Sequence, residues 1–317
     1  MIDSGLGVQA GPSSQTFIAE DGNSLRIWAW PQVTGRPTLH WAHATGFHGR
    51  AYAPLLDRLS ENANIYAWDM RGHGESCAAG RLDTFSGWNS YYNDLEAWLR
   101  AQPEPVWLAG HSIGATASLV AASRVPDKVH GLILCDPVIL PPWGSWLLAV
   151  SSTLGMADRL SLAAGAKRRR ASYPDREAVF LSYRKKTSFI RWPDDWLRAY
   201  INTGFIDLPS GNVGLACSPV WESLTFEKTE YRVWRHLKVS RMPALALVAS
   251  QRSTFGRMQF RRLRRFLPNL KIEVVVESSH FLPMERGDLV ERRIAQLLSL
   301  EAALAVRMPS LIRGAGY

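Results

Sequence analysis

The chain has 317 residues, 46% of them hydrophobic and 21% charged, with a formal net charge of +9 from 37 Lys+Arg against 28 Asp+Glu. That apolar content excludes a disordered or fibrous chain, and no run approaches the roughly 18 consecutive apolar residues needed to span a bilayer. Cys77, Cys135 and Cys217 are odd in number and lack paired spacing, which predicts reduced thiols and no zinc site. The start, MIDSGLGVQAGPSSQ, has no basic stretch followed by an apolar one, so a cytoplasmic protein is expected.

Two hydrophobic textures alternate along the chain. Thr16–Trp30 reads as an antiparallel hairpin turning at Asp21-Gly22-Asn23. Short β-rich runs follow at Leu39–His43, Asn64–Asp69, Val106–Gly110, Val129–Asp136, Ala244–Ala249 and Ile272–Glu277. They are apolar almost continuously, as strands covered on both faces are. Between them, Tyr91, Tyr92, Leu95, Trp98 and Leu99 repeat with helical spacing. Ile113–Arg124 is a small-residue helix stopped by Pro126, and Leu289–Val306 is a long amphipathic one. Buried strands alternating with helices predict an α/β fold with a mostly parallel twisted sheet flanked by helices.

The alternation breaks between residues 138 and 237, which read as helical stretches rich in Trp and basic residues. The expected organisation is therefore a core of residues 1–137 and 238–317, with residues 138–237 inserted as a helical cap over the carboxyl edge of the strands. Open α/β sheets place their ligands at that edge.

The sharpest local signal is Gly110-His111-Ser112-Ile113-Gly114, a G-x-S-x-G sequence directly after one strand and opening a helix. A turn this tight strains the Ser112 backbone, and side chains two residues away would collide, hence the glycines. The helix N-terminus beneath Ser112 supplies free N–H groups and a positive dipole end.

A serine nucleophile needs a base, and the base needs an orienter. His280, just past the last strand, is the expected base. His111 sits inside the turn and is expected to be structural, while His43, His48 and His73 lie on loops at the same edge and would shape the pocket. The loop Ala249–Thr254, one common place for the acid, holds no carboxylate. That leaves Asp136 at the end of LILCD, one strand from the Ser112 strand. His43-Ala-Thr-Gly-Phe-His-Gly49 is the expected oxyanion loop, with the amides of Phe47 and Ile113 as donors.

Together these residues resemble the α/β-hydrolase superfamily: HATGFHG as the oxyanion loop, DMRGHGES at Asp69–Ser76, GHSIG as the elbow and SSHFLPMERGDLV around His280. The chain looks most like capped bacterial hydrolases with an H-A-[NT]-G-F loop. KRRRASYPDREAVFLSY and LRAYINTGFIDLPSGNVGLACSP resemble the cap of that group. The usual Asp after the penultimate strand is missing, which favours Asp136, a position that some members of the superfamily use. The resemblance implies a serine hydrolase that cleaves a carboxylic ester-like bond through an acyl-enzyme on Ser112, with no cofactor or metal. Lactonase, thioesterase and C–C bond hydrolase share the same triad, and a ligand-binding protein on the same fold is the alternative from another class. Dehalogenases and epoxide hydrolases need a carboxylate nucleophile where Ser112 stands.

Six tryptophans fall in the expected cap, including Trp143, Trp146, Trp192 and Trp196. Trp143, Trp192 and Trp196, with His43, are the expected substrate contacts, suited to a hydrophobic or aromatic acyl group. The partner is thus a small molecule, the chain a monomer or homodimer without membrane insertion. The positive excess concentrates in Lys167–Arg170, Arg184–Lys186 and Arg252–Arg265, the last with six Arg and no acid. No zinc finger, helix-turn-helix or RNP motif accompanies it, so no nucleic-acid partner is expected. A solvated basic face is the leading reading, with attraction of a carboxylate-bearing substrate or docking on an anionic surface as the others.

Overall fold

The computed structural model describes residues 11–79, 81–140 and 158–307. The hairpin appears as β1 (Ser13–Ile18) and β2 (Ser24–Ala29), closed by the Ala19 and Asn23 main chains and paired antiparallel. Then come β3 (Thr38–Ala42), α1 (Ala53–Leu59), β4 (Asn64–Asp69), α2 (Trp88–Arg100), β5 (Val106–His111), α3 (Ile113–Arg124) and β6 (Val129–Cys135). The sheet resumes with β10 (Ala244–Ala249), α8 (Arg257–Phe266) and β11 (Leu270–Val275), and the chain continues through α9 (Leu282–Glu285) into α10 (Gly287–Arg307).

Eight strands form one sheet in the order β1-β2-β4-β3-β5-β6-β10-β11. Every pair from β4 to β11 is parallel, and only β1 and β2 join antiparallel. The apolar runs of β5 and β10 are buried throughout, as their pattern predicted, but the run at Ile272–Glu277 is not covered on both faces, and Val276 is exposed. β11 is the edge strand, and Val274 there stays half exposed. Separate apolar cores cover the two faces, one packing Leu95, Leu119 and Leu263 and the other Leu55, Leu282 and Ile294. Each such side chain contributes roughly 1.5–3 kcal/mol by leaving water.

Between β6 and β10 lie α4 (Asp158–Lys167), β7 (Ser172–Tyr173), α5 (Arg176–Arg184), α6 (Asp194–Gly204), β8 (Phe205–Asp207), β9 (Val213–Leu215) and α7 (Pro219–Glu227). The expectation of helices alone is therefore corrected: β7, β9 and β8 form a small antiparallel sheet. Strands of two or three residues leave no readable period. This segment rests on the loops that follow β3 and β4. His48 Nε2–H donates to the Tyr200 carbonyl at 3.0 Å, and the Trp221 ring lies so close to Gly72 that a Cβ there would meet it at 2.1 Å. Trp88 Nε1–H reaches the Thr225 carbonyl at 2.9 Å. Among the described residues, no helix is long and apolar enough to cross a membrane.

Burial makes the fold sensitive to acid. His40, His43, His48, His73 and His111 are all buried, and loss of solvation lowers their pKa values, to about 3 for His40 and His111 and about 4 for His48 and His73. The unfolded chain binds protons near pH 6.5 that the folded chain refuses, so stability falls as pH drops below 6.5. Each buried histidine steepens that fall by about 1.4 kcal/mol per pH unit. Asp69 and Asp94, raised to about 6 by burial, act in the opposite sense as the pH falls through 6, but they are fewer. Urea titrations should therefore show a steep loss of stability from pH 6.5 to 5. His40, whose ring nitrogens have no partner among the described residues, gives the control. His40→Phe should flatten the slope by about 1.4 kcal/mol per pH unit, and an unchanged slope would contradict a buried, neutral His40.

Candidate active site

Ser112 stands between β5 and α3 with φ 57° and ψ −120°, a backbone region that side chains other than glycine rarely occupy. Its neighbours explain how the strain is held. A Cβ on Gly110 would lie 2.6 Å from the Gly114 carbonyl carbon, and one on Gly114 would lie 2.2 Å from the Ala42 oxygen. Only hydrogen fits at either place, so the start of α3 can press against the end of β3. The Ser112 amide bonds the Cys135 carbonyl at 3.0 Å, tying the turn to β6.

His280 and Asp136 arrive from two further strand ends. His280 Nδ1–H donates to Asp136 Oδ2 at 2.6 Å, and the Ser112 hydroxyl donates to His280 Nε2 at 3.0 Å. Asp136 is fully buried and follows β6 with φ 44°. Burial alone would raise its pKa, but the bonds from His280, Ser253 and the Ala249 amide outweigh it and hold the carboxyl below the usual range. Asp136 accepts from Ala249 N–H at 3.1 Å, the Ser253 hydroxyl at 2.5 Å and Thr254 N–H at 3.4 Å. The loop after β10 thus supplies donors where the sequence has no carboxylate. On the His280 loop, the Glu285 carboxylate accepts from the Ser279 amide and hydroxyl at 2.6 and 2.8 Å.

Two sequence expectations change at the loop after β3. His43 is wholly buried, its Nδ1–H donating to the Ala44 carbonyl at 2.7 Å and its Nε2 accepting the Met70 amide at 2.9 Å. Both ring nitrogens are committed, so His43 braces the loop and has no free ring nitrogen to offer a substrate. The Phe47 amide bonds the Ala44 carbonyl at 3.1 Å, closing a turn, and is no longer a free donor. The Thr45 amide makes no hydrogen bond among the described residues, and Thr45 is partly exposed. The Ile113 amide, first in α3, has no helical acceptor because of its position.

The tryptophans divide. Trp143 lies outside the described residues. Trp192 is buried in an aromatic group with Phe47 (5.8 Å between ring centres), Phe281 (5.6 Å) and Phe189 (4.9 Å). Phe47 and Phe281 in turn lie 6.2 and 6.5 Å from the His111 ring, beside the Ser112 turn. Trp196 does not join this wall: it packs on Gly287 at the start of α10, where a Cβ would meet its ring at 2.8 Å. Spacing of i, i+4 suggests one shared helix face, but Trp192 precedes α6, which starts at Asp194 after Pro193, so the two indoles part company.

Sequence reasoning missed two polar groupings. Arg169 pairs with Glu222 and donates to the Tyr183 and Tyr200 hydroxyls at 2.9 Å each, while Tyr200 O–H donates to the Gly46 carbonyl at 3.2 Å. A Cβ on Gly46 would lie 2.7 Å from Glu222, so this buried cluster sits directly on the loop after β3. The other is Tyr52, whose hydroxyl accepts the Ala44 amide at 3.2 Å and donates to His111 Nδ1 at 2.8 Å. His111 Nε2–H then donates to the His280 carbonyl at 2.6 Å. The order of protons is forced, since a carbonyl must accept and a neutral imidazole has one N–H. Nothing in the spacing of Tyr52 flagged it. Among the described residues, no three His, Cys, Asp or Glu side chains are grouped to hold a metal ion.

The solved structure of E-2-(acetamidomethylene)succinate hydrolase superposes on 91% of this chain and 99% of its own, with a TM-score of 0.75 at 19% identity. This chain has the α/β-hydrolase fold. A family model described as serine aminopeptidase, S33, matches residues 35–186 of the α/β-hydrolase chain, just under half of it. Rat monoglyceride lipase is 32% identical over 131 residues, which are 39% of this chain and 43% of the lipase. The 2-(acetamidomethylene)succinate hydrolase of Mesorhizobium japonicum is 32% identical over 102 residues, 32% of this chain and 35% of that enzyme. The matched stretches thus span less than half the length of these relatives.

The wiring through Tyr52 makes a stability prediction. Tyr52→Phe strands the Ala44 amide and the His111 imine, and each buried group left unpaired costs about 1–3 kcal/mol. The Tyr92 hydroxyl, also buried, has no partner among the described residues, so Tyr92→Phe should be neutral or stabilising. Equal urea midpoints for the two variants would overturn the assignment of the Tyr52 bonds.

Proposed function

We propose that the protein is a serine hydrolase that cleaves carboxylic ester-like bonds through an acyl-enzyme on Ser112. The observation that carries this reading is the unbroken hydrogen-bond chain from Asp136 through His280 to Ser112. In this mechanism His280 Nε2 takes the Ser112 proton as the oxygen attacks the carbonyl carbon. Asp136 holds the ring by Nδ1 and stabilises the imidazolium that forms. The oxyanion is met by the amides of Ile113 and Thr45, the latter in place of Phe47, at the positive end of α3. His280 returns the proton to the leaving alcohol, and a water activated by the same base releases the acid.

Residues 138–237 act as a cap over this site in the proposal. Their contacts with the loops after β3 and β4 support that role, and Trp192, Phe47 and Phe281 would offer an apolar wall to the acyl group. The similarity to a monoglyceride lipase and to an acetamidomethylene-succinate hydrolase favours acyl chemistry and leaves the acyl group open to choice. The substrate panel should therefore hold aliphatic and aromatic esters, lactones, thioesters and an acidic acyl compound.

Ser112→Ala should lower kcat on the best substrate by on the order of 10⁴–10⁶-fold, and Asp136→Asn by about 10⁴-fold with little change in KM. Turnover surviving in Ser112→Ala would overturn the mechanism. Near-normal activity in Asp136→Asn would remove only the acid. A burst of product with a retained adduct, and no steady turnover, would instead favour a ligand-binding protein on this fold.

A further inference from the structure

α8 carries five Arg and no acid among its ten residues. Arg257, Arg261, Arg264 and Arg265 are exposed, and none forms an ion pair or hydrogen bond among the described residues. At about 100° per residue, Arg264, Arg257, Arg261, Arg265 and Met258 follow one another around roughly 120° of the helix. Gln259 and Leu263 are buried on the opposite side. A depression of about 440 Å³ opens on this arc, lined by Arg257, Met258, Arg261, Arg262 and Arg265. Arg262 is partly withdrawn, its guanidinium lying 5.0 Å over the Trp234 ring. Other exposed arginines behave differently: Arg58, Arg100, Arg198 and Arg292 each face a carboxylate.

We propose that α8 docks the protein on an anionic lipid surface. Guanidinium groups bind phosphate by paired N–H donors, and an arc of four matches a plane of headgroups. Met258, 49% exposed at the end of the arc beside Arg265, separates a membrane from a nucleic acid. Its thioether gains by entering the boundary between headgroups and acyl chains, as apolar groups on basic interfacial helices do. Single-stranded nucleic acid would require exposed aromatic platforms, whereas Phe255 is buried and Phe260 half-buried. The loop leading into α8 also holds the triad acid, since Ser253 and Thr254 both bond Asp136. The proposal does not depend on the hydrolytic reading, since binding to vesicles requires no turnover.

The test is co-sedimentation of the full chain with vesicles of phosphatidylcholine alone and of phosphatidylcholine mixed with phosphatidylglycerol. Binding is expected only to the anionic vesicles, and it should weaken as NaCl is raised. Each arginine near such a surface contributes roughly five-fold to partitioning. The triple variant R257Q/R261Q/R265Q should then bind about 100-fold more weakly and keep its thermal transition and its hydrolysis of a soluble ester. R100Q/R198Q/R292Q, which removes the same charge from other positions, should bind as wild type does. Ser112→Ala should also bind normally, so that failure of docking and failure of the hydrolase reading remain distinguishable. Equal binding to neutral vesicles, undiminished binding of the α8 variant, or tighter binding to poly(U) than to anionic vesicles at equal salt would each overturn the proposal.

Discussion

The contact on which the rest depends is the closeness of α3 to the end of β3. Gly114 lies where any Cβ would strike the Ala42 and His43 oxygens, at 2.2 and 2.5 Å. That approach brings the N-terminus of α3 against the end of β3, where the loop carrying Thr45 begins. It also forces Ser112 into a positive φ. The strain, of order 1–3 kcal/mol, is held by β5, which is buried throughout and paired on both sides. A parallel sheet is rigid enough to carry a local misfit that a loop would relax.

Around that contact, buried polar groups are joined so that few are left over. Asp136 collects donors from three places, and the His280 carbonyl and ring are held from different sides by His111 and Asp136. Tyr52 links the loop after β3 to His111, while Tyr200, Arg169 and Glu222 hold the same loop from above. A buried ion pair such as Arg169–Glu222 contributes little net stability after desolvation. Its value here is geometric, because it fixes where the Gly46 carbonyl points.

Charge is distributed by a different rule. Inside, cations are matched to acids, as with Arg71 between Asp21 and Asp94. On α8 they are not, and four unpaired guanidinium groups sit where water can solvate them. An unpaired surface charge costs the fold almost nothing, so such a helix can persist without a structural reason. That freedom lets the surface serve a partner.

Much of this was legible in the sequence, for physical reasons. Short continuous apolar runs bounded by turn residues suit strands, and G-x-S-x-G between a strand and a helix calls for a tight, strained turn. Those patterns located Ser112, His280 and Asp136 at one sheet edge, because a parallel sheet aligns all its strand ends. The short strands β7 to β9 were invisible, being too short to show a period. His43, Phe47 and Trp196 were misjudged for a common reason. Sequence shows which loop or helix a group occupies, but the direction of an N–H or a ring depends on partners distant in the chain, such as Met70, Ala44 and Gly287. Sequence by itself determined the strand order of burial, the strained serine and the charge of α8. Only the tertiary structure decided which donors are free and which are already taken, because hydrogen bonds are settled by what packs alongside.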